Sequence, residues 1–389
     1  MATTYAIEEE IYWLALRMVP GLGNRRTVQV LERFRCPSAV FQTSRSELEA
    51  CGLSGAVAQS IASGCTMDEA IEQRDKARSA GAELIPINHP LYPAHLRQIF
   101  DPPVLLFAQG RTELLTTPTI GVVGTRRPTP YGVAAAERLT AGMVQFGLTI
   151  ASGMARGIDT AAHRAALAAG GDTIAVFGCG LDVIYPAENR KLACELHEKG
   201  LILSEFPMGS PAHPQNFPIR NRIISGLSAG VLVVEGAQYS GSSITARLAF
   251  ESGRPVFAVP GNITSKMSWG PNLLIRQGAV LVQDAADILD GLDPDTRRRI
   301  HELRSGQSRL GIDASENQAQ ASPLDSLGPN APLGQLILAR LSTDSTTHID
   351  DLIECCPSAS ASEILAVTFE LELLGLIRQL PGRNYVKVW

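Results

Sequence analysis

Five arginines stand in loops that follow short apolar runs: Arg126 and Arg127 in "GVVGTRRPTPYG", Arg156 in "SGMARGIDTAAH", and Arg220 and Arg222 in "NFPIRNRII". The planar guanidinium fork donates two parallel hydrogen bonds, which suits it to phosphate. Small residues surround these arginines: Gly124 and Thr125, Ser152 and Gly153, Ser240 and Ser242. Small side chains let backbone donors reach a ligand, and helix N-termini add a dipole that favours anions. Arg220 and Arg222 are two apart at a helix start and so do not share a helical face. One is free to face a ligand while the other braces the sheet or a neighbouring loop. The competing use is salt bridging, with Arg222 or Arg156 paired to Asp159, Glu205 or Glu235. Phe217, three residues before Arg220, either fills core or offers a ring to a base, a contact of about 1–3 kcal/mol in single-strand binders.

Catalytic arrangements are less complete. Asp159 and His163 are four apart and can share a helix face, and Glu235 follows a strand, but neither has a nucleophile or a second acid beside it. "SGSSITA" lacks the Gly-Lys-Ser/Thr of a phosphate-binding P-loop. No catalytic residue, metal set or cofactor is expected. The seven cysteines include no C-x-x-C pair, and Cys355 adjoins Cys356; they read as reduced thiols of a cytoplasmic protein. The formal net charge of −5 argues against a chain basic throughout, while leaving room for a local basic cleft. No apolar run has membrane-spanning length, and "MATTYAIEEEIYW" lacks the order of a signal peptide.

The elements that must position these residues follow from periodicity. With 45% hydrophobic and 19% charged residues over 389 positions, the chain can bury a core in two or three domains. Residues 1–75 read as helices. "PGLGNRRTVQVLERF" and "LEACGLSGAVAQSIAS" each place a glycine hairpin before an apolar-periodic helix, in the manner of a helix-hairpin-helix or SAM-like bundle. That pattern serves either phosphate contact at a helix start or protein contact. Within the domain expected at 83–290, the runs Leu84–Ile87 and Val104–Ala108 flank a Pro-rich connection and read as strands leading into the sheet. From about 118 to 290 short apolar runs alternate with helical segments: Thr119–Val123, Leu148–Ala151, Thr173–Phe177, Leu201–Ser204, Gly230–Val234, Val256–Val259 and Ala279–Val282. Nearly all-apolar runs of this length predict parallel strands buried on both faces. The fold class is α/β, a Rossmann-like doubly wound, mainly parallel sheet whose ligand sits beyond the strands' carboxyl ends. Residues 291–330 are polar and predict a flexible linker. Residues 331–389 predict three helices and a hairpin turning at Pro381–Gly382, a winged helix.

The segments "YPAHLRQIFDPPVLLFAQG", "GVVGTRRPTPYG", "SGMARGIDTAAHRAAL", "TIAVFGCGLDVIYPAENRKL", "ILSEFPMGSPAHPQNFPIRNRIISGLS" and "VLVVEGAQYSGSSITARLAFESGRPVFAVPG" together resemble the DNA-processing protein A (DprA, Smf) family of bacteria. The resemblance is dense over about 85–285 and looser in the two flanking regions. It implies a non-enzymatic protein that binds single-stranded DNA during natural transformation. It also implies a homodimer, delivery of the strand to the RecA recombinase, and dealings with single-strand-binding protein. On this chain the implied phosphate contacts fall on Arg126 and the arginines of "FPIRNR", and the loop aromatic on Phe217. Some relatives carry a lysine shortly before that aromatic, where His213 and Pro214 stand here.

Two other readings compete. A nucleotide-processing enzyme of the phosphoribohydrolase group carries a "PGGxGTxxE" loop; the corresponding "SGSSITARLAFE" lacks its paired glycines, with Glu251 as the counterpart of its glutamate. A regulatory scaffold with a vestigial DNA site is the other. Over 331–389, Arg340, Arg378, Arg383 and Lys387 face Asp344, Asp350, Asp351, Glu354, Glu363, Glu370 and Glu372. Like charge repels phosphate, so the winged helix is expected to contact protein.

Overall fold

The computed structural model describes residues 2–238, 240–309, 330–342, 346–356 and 359–387. The chain divides into two compact units, residues 1–128 with 136–303, and residues 129–135 with 304–389.

The first unit opens with six helices, α1 (Ala2–Met18), α2 (Asn24–Phe34), α3 (Pro37–Phe41), α4 (Arg45–Ala50), α5 (Gly55–Ser63) and α6 (Met67–Ser79). The two glycine hairpins fall where the sequence puts them, between α1 and α2 and between α4 and α5. Gly21 and Gly52 hold φ of +79° and +85° there, a region that costs L-residues strain. Ser44 and Glu47 close a capping box on α4. Val30, Val40, Leu48, Val57 and Ile61 bury a small core among these helices. Trp13, Leu14, Ala70 and Ala77 of α1 and α6 instead pack into the core beneath the sheet. The boundary expected at residue 75 therefore falls inside α6.

Among the described residues, nine strands form one sheet: β1 (Glu83–Pro86), β2 (Leu105–Gly110), β3 (Thr119–Val123), β4 (Thr149–Ser152), β5 (Thr173–Phe177), β6 (Leu201–Ser204), β7 (Gly230–Val233), β8 (Val256–Ala258) and β9 (Val280–Leu281). The spatial order is β1-β2-β6-β5-β4-β3-β7-β8-β9. β6 through β9 run parallel, while β2 pairs antiparallel with both β1 and β6. Alternation along each strand feeds two cores. Ile174, Val176, Leu201 and Leu203 enter one, and Ala175, Phe177 and Ile202 enter the other. Helices cover both faces: α7 (Ala94–Arg97), α8 (Pro130–Gln145), α9 (Ile158–Ala168), α10 (Arg190–Lys199), α11 (Asn216–Leu227), α12 (Gly241–Glu251), α13 (Trp269–Arg276), α14 (Ala285–Asp290) and α15 (Pro294–Arg309).

The last of these corrects an expectation. The polar stretch 291–330 does not begin as a flexible linker. Asp293 accepts the backbone N–H of Asp295 and of Thr296, Pro294 takes the first helical position, and Thr296 and Ile300 bury the inner face of α15. Residues 310–329 lie outside the described residues.

The second unit contains α16 (Ala331–Arg340), β10 (Thr347–His348), α17 (Ile349–Cys355), α18 (Ala361–Leu373), β11 (Ile377–Leu380) and β12 (Asn384–Lys387). The strand order is β10-β12-β11, and Ile337, Leu352, Ile364, Leu371 and Tyr385 share the core. This is the three-helix, winged arrangement that the sequence predicts.

Candidate nucleic-acid interface

The strand order reverses at β3, whose neighbours are β4 on one side and β7 on the other. The loops leaving β3 and β7 diverge there, and topology alone opens a crevice beyond the carboxyl ends. A cavity of about 540 Å³ occupies it. It is lined by Gly124, Thr125 and Arg126 after β3, by Ala155 between β4 and α9, and by Asp159 in the first turn of α9. Tyr185 comes from the loop after β5, Phe217, Arg220 and Asn221 from α11, and Ser240, Gly241 and Ser242 from the start of α12.

Arg220 is its centre. The side chain is 3% exposed, Nη1 donates to the carbonyl of Val176 at 3.1 Å, and Nε finds no hydrogen-bond partner. Burial draws its pKa down to about 10, against the support of Asp159, so it stays cationic at neutral pH. Asp159 accepts the backbone N–H groups of Gly153 at 3.2 Å and Ala155 at 3.3 Å. Burial raises its carboxyl above the usual range, with Arg220 and these N–H donors pulling the other way. Arg126 is exposed and adds a second positive charge. Its guanidinium carbon lies 5.3 Å from the Phe217 ring centroid and that of Arg220 5.9 Å, within cation–π range. Tyr185 tilts against Phe217 with ring centroids 5.5 Å apart. At the far wall Ser240 and Ser242 share a hydroxyl hydrogen bond of 2.6 Å, and no side chain caps α12.

The glycines serve packing more than ligand approach. A Cβ on Gly124 would stand 2.5 Å from Ile158 Cγ1, so Gly124 lets α9 close onto β3. A Cβ on Gly153 would overlap the Arg220 guanidinium. Thr125 ties the rim together. Its N–H donates to the carbonyl of Glu235 at 2.8 Å, its carbonyl accepts from Ile158, and its hydroxyl accepts the Arg127 N–H.

Of the residues expected at the site, Arg127, Ser152, Gly153, Arg156 and Arg222 do not line this cavity. Ser152 is fully buried and its hydroxyl donates to the Val122 carbonyl at 2.6 Å, so it holds the sheet. Arg222 turns away from the cavity into an ion pair with the buried Glu205, its Nε also 3.2 Å from Asp101 Oδ2. This is the bracing role open to one of two arginines two apart on α11. Arg156 sits on the outer rim paired with Glu188, beside a smaller recess that it lines with Arg126, Gly153, Tyr185, Phe217 and Arg220. Arg127 is exposed next to the cavity without lining it. Sequence reasoning missed Tyr185, Asn221 and the coupling of Asp159 to Arg220. A tyrosine before a proline in a non-periodic loop gives no signal beyond its place after a strand end.

His163 is no partner for Asp159. It is fully buried, shares a 2.7 Å hydrogen bond with the Thr173 hydroxyl, and burial pushes its pKa down to about 3. Glu251, at the end of α12, is paired with Arg247 at 3.3 Å and lies outside the cavity lining. Among the described residues no cluster of His, Cys, Asp or Glu is arranged to hold a metal ion. Likewise, no helix among them is long and apolar enough to cross a membrane.

Residues 83–293 match the family described as DNA recombination-mediator protein A, and residues 310–383 match the DprA winged helix domain. Protein Smf of Escherichia coli is 42% identical over 78% of this chain and 77% of its own length. Protein Smf of Synechocystis is 32% identical over 98% of this chain and 99% of its own. The crystal structure of DNA processing protein A from Streptococcus pneumoniae superposes with a TM-score of 0.65 at 38% identity, covering 73% of this chain and 98% of that one.

Proposed function

The chain belongs to the DNA recombination-mediator protein A family, and from that premise we propose that its switch-point cavity grips single-stranded DNA. In this reading the protein carries the strand as a homodimer to a RecA-type recombinase, past single-strand-binding protein, during natural transformation. The observation that carries the DNA contact is the convergence of Arg126 and Arg220 on the Phe217 ring inside one cavity. Guanidinium groups take the phosphates while Phe217 and Tyr185 offer faces to bases. Stacking of this kind tolerates any sequence, because every base has a π-face. Duplex DNA, whose bases are already stacked, binds less well.

A nucleotide-hydrolysing enzyme is the weaker reading. Its glutamate counterpart, Glu251, is held by Arg247 away from the cavity. The one cavity carboxylate used in the geometry above, Asp159, is occupied by two backbone N–H groups.

The test is single-strand affinity against salt concentration for the parent and Arg126→Ala. Each neutralised phosphate contributes about 0.7 to the log–log slope. The variant is expected to bind every sequence more weakly, with a slope shallower by about that amount. A variant with the parent's affinity and slope puts the DNA elsewhere. Release of base from nucleoside monophosphates by the parent would favour the enzyme.

A further inference from the structure

We propose that Phe100 and Arg25 form a second base-stacking platform, which takes the same single strand as it leaves the cavity toward the helical region. The proposal rests on the cavity's binding single-stranded DNA. Phe100 is 77% exposed, and the Arg25 guanidinium lies over its ring at 4.1 Å from the centroid. One face is thus covered by a cation while most of the ring meets water. Arg26 follows on the surface. Among the described residues no carboxylate pairs with Arg25 or Arg26. An open ring backed by unneutralised guanidinium charge has the chemistry of a nucleotide site, with a base on the ring and a phosphate on the arginines.

The platform is fixed relative to the cavity by Arg222. Asn24, the neighbour of Arg25, donates to Glu205 Oε1 at 2.9 Å and to Asp101 Oδ2 at 3.4 Å. Asp101, the neighbour of Phe100, and Glu205 are both paired with Arg222, two residues beyond Arg220 on α11. The same arginine neutralises Asp101 and Glu205, the two carboxylates that Asn24 contacts, which would otherwise repel a phosphate. Arg222 is therefore a positioning residue joining two contacts on one strand.

The experiment uses the full chain, fluorescently labelled oligothymidylates of about 4 and about 16 nucleotides, and the variants Phe100→Ala, Phe100→Trp and Arg25→Ala. The short strand fills only the cavity, and all variants are expected to bind it as the parent does. With the long strand, Phe100→Ala is expected to lose about fivefold or more in affinity. Phe100→Trp should keep the parent's affinity, and Arg25→Ala should lower the salt slope by about 0.7. Equal affinity of Phe100→Ala and parent at both lengths overturns the platform, as does equal loss in Phe100→Ala and Phe100→Trp. A parent that binds neither strand sinks the underlying reading of the cavity instead.

Discussion

The guanidinium of Arg220 occupies the volume that a side chain on Gly153 would need. Gly153 also donates its N–H to Asp159, the counter-charge of Arg220. One residue without a Cβ thus seats the cation and helps hold the anion that faces it.

Gly153→Ala is therefore expected to unseat Arg220 and weaken single-strand binding as much as Arg220→Ala does. The double variant should lose no more than either single one, since both remove one contact. Fluorescence anisotropy on the three variants, with urea denaturation to confirm folding, measures this. Parent-like binding by Gly153→Ala would remove Arg220 from the contact.

Arg222 gives the opposite expectation. Its loss leaves Glu205, 2% exposed, with Asn24 as a neutral donor and no cation. Breaking a buried pair on one side costs about 3–5 kcal/mol. Arg222→Ala should lower stability by roughly that amount in urea titration, and a cycle with Glu205→Gln should recover part of it. Affinity of the folded variant for a strand that fills only the cavity should stay unchanged.

These two arginines mark how far the sequence can be read. Their placement after an apolar run and at a helix start was legible, as was the sheet: Thr173–Phe177 and Leu201–Ser204 form strands with the expected bounds. At the edge, where β9 pairs on one side only, the expected Ala279–Val282 shrinks to Val280–Leu281. Two positions along a helix decide that Arg220 enters the cavity and Arg222 leaves it, but helical spacing cannot say which. Glu205, on a distant segment, settles it. The role of Gly153 depends on a close approach across loops that no local pattern records. For α15 the signal was present: an aspartate cap and a proline at the first position. The abundance of Arg and Asp hid it, because a single buried position per turn, Thr296 then Ile300, is enough to dock a helix.

His163 makes acid sensitivity a property of the core. Its pKa of about 3 in the fold lies below the ordinary 6.5 of an unfolded chain. As pH falls through 6.5 the unfolded chain takes up a proton that the folded one refuses, so stability present above 6.5 is lost progressively toward pH 3. Between those two values the one-proton difference corresponds to about 1.4 kcal/mol per pH unit. His163→Asn keeps a hydrogen-bonding group near Thr173 and removes the titration. Urea denaturation at pH 7, 6, 5 and 4 should show a shallower decline for the variant by about that slope. Parallel declines would mean that other groups govern acid unfolding.

The winged helix is expected to leave strand binding alone. α18 holds the place of the recognition helix, yet it carries Glu363, Glu370 and Glu372 and no lysine or arginine. Glu363 is committed to the capping box with Ser360, and Leu365, Phe369 and Leu373 stand exposed along the same helix. Acidic charge repels a phosphate backbone, and with no cation on α18 to neutralise phosphates a strand lying there would release no counterions. Removing residues 331–389 should therefore change single-strand affinity less than about twofold and leave the salt slope within about 0.7 of the parent's. A slope shallower by several phosphates in the shortened chain would place DNA on α18 and overturn the assignment.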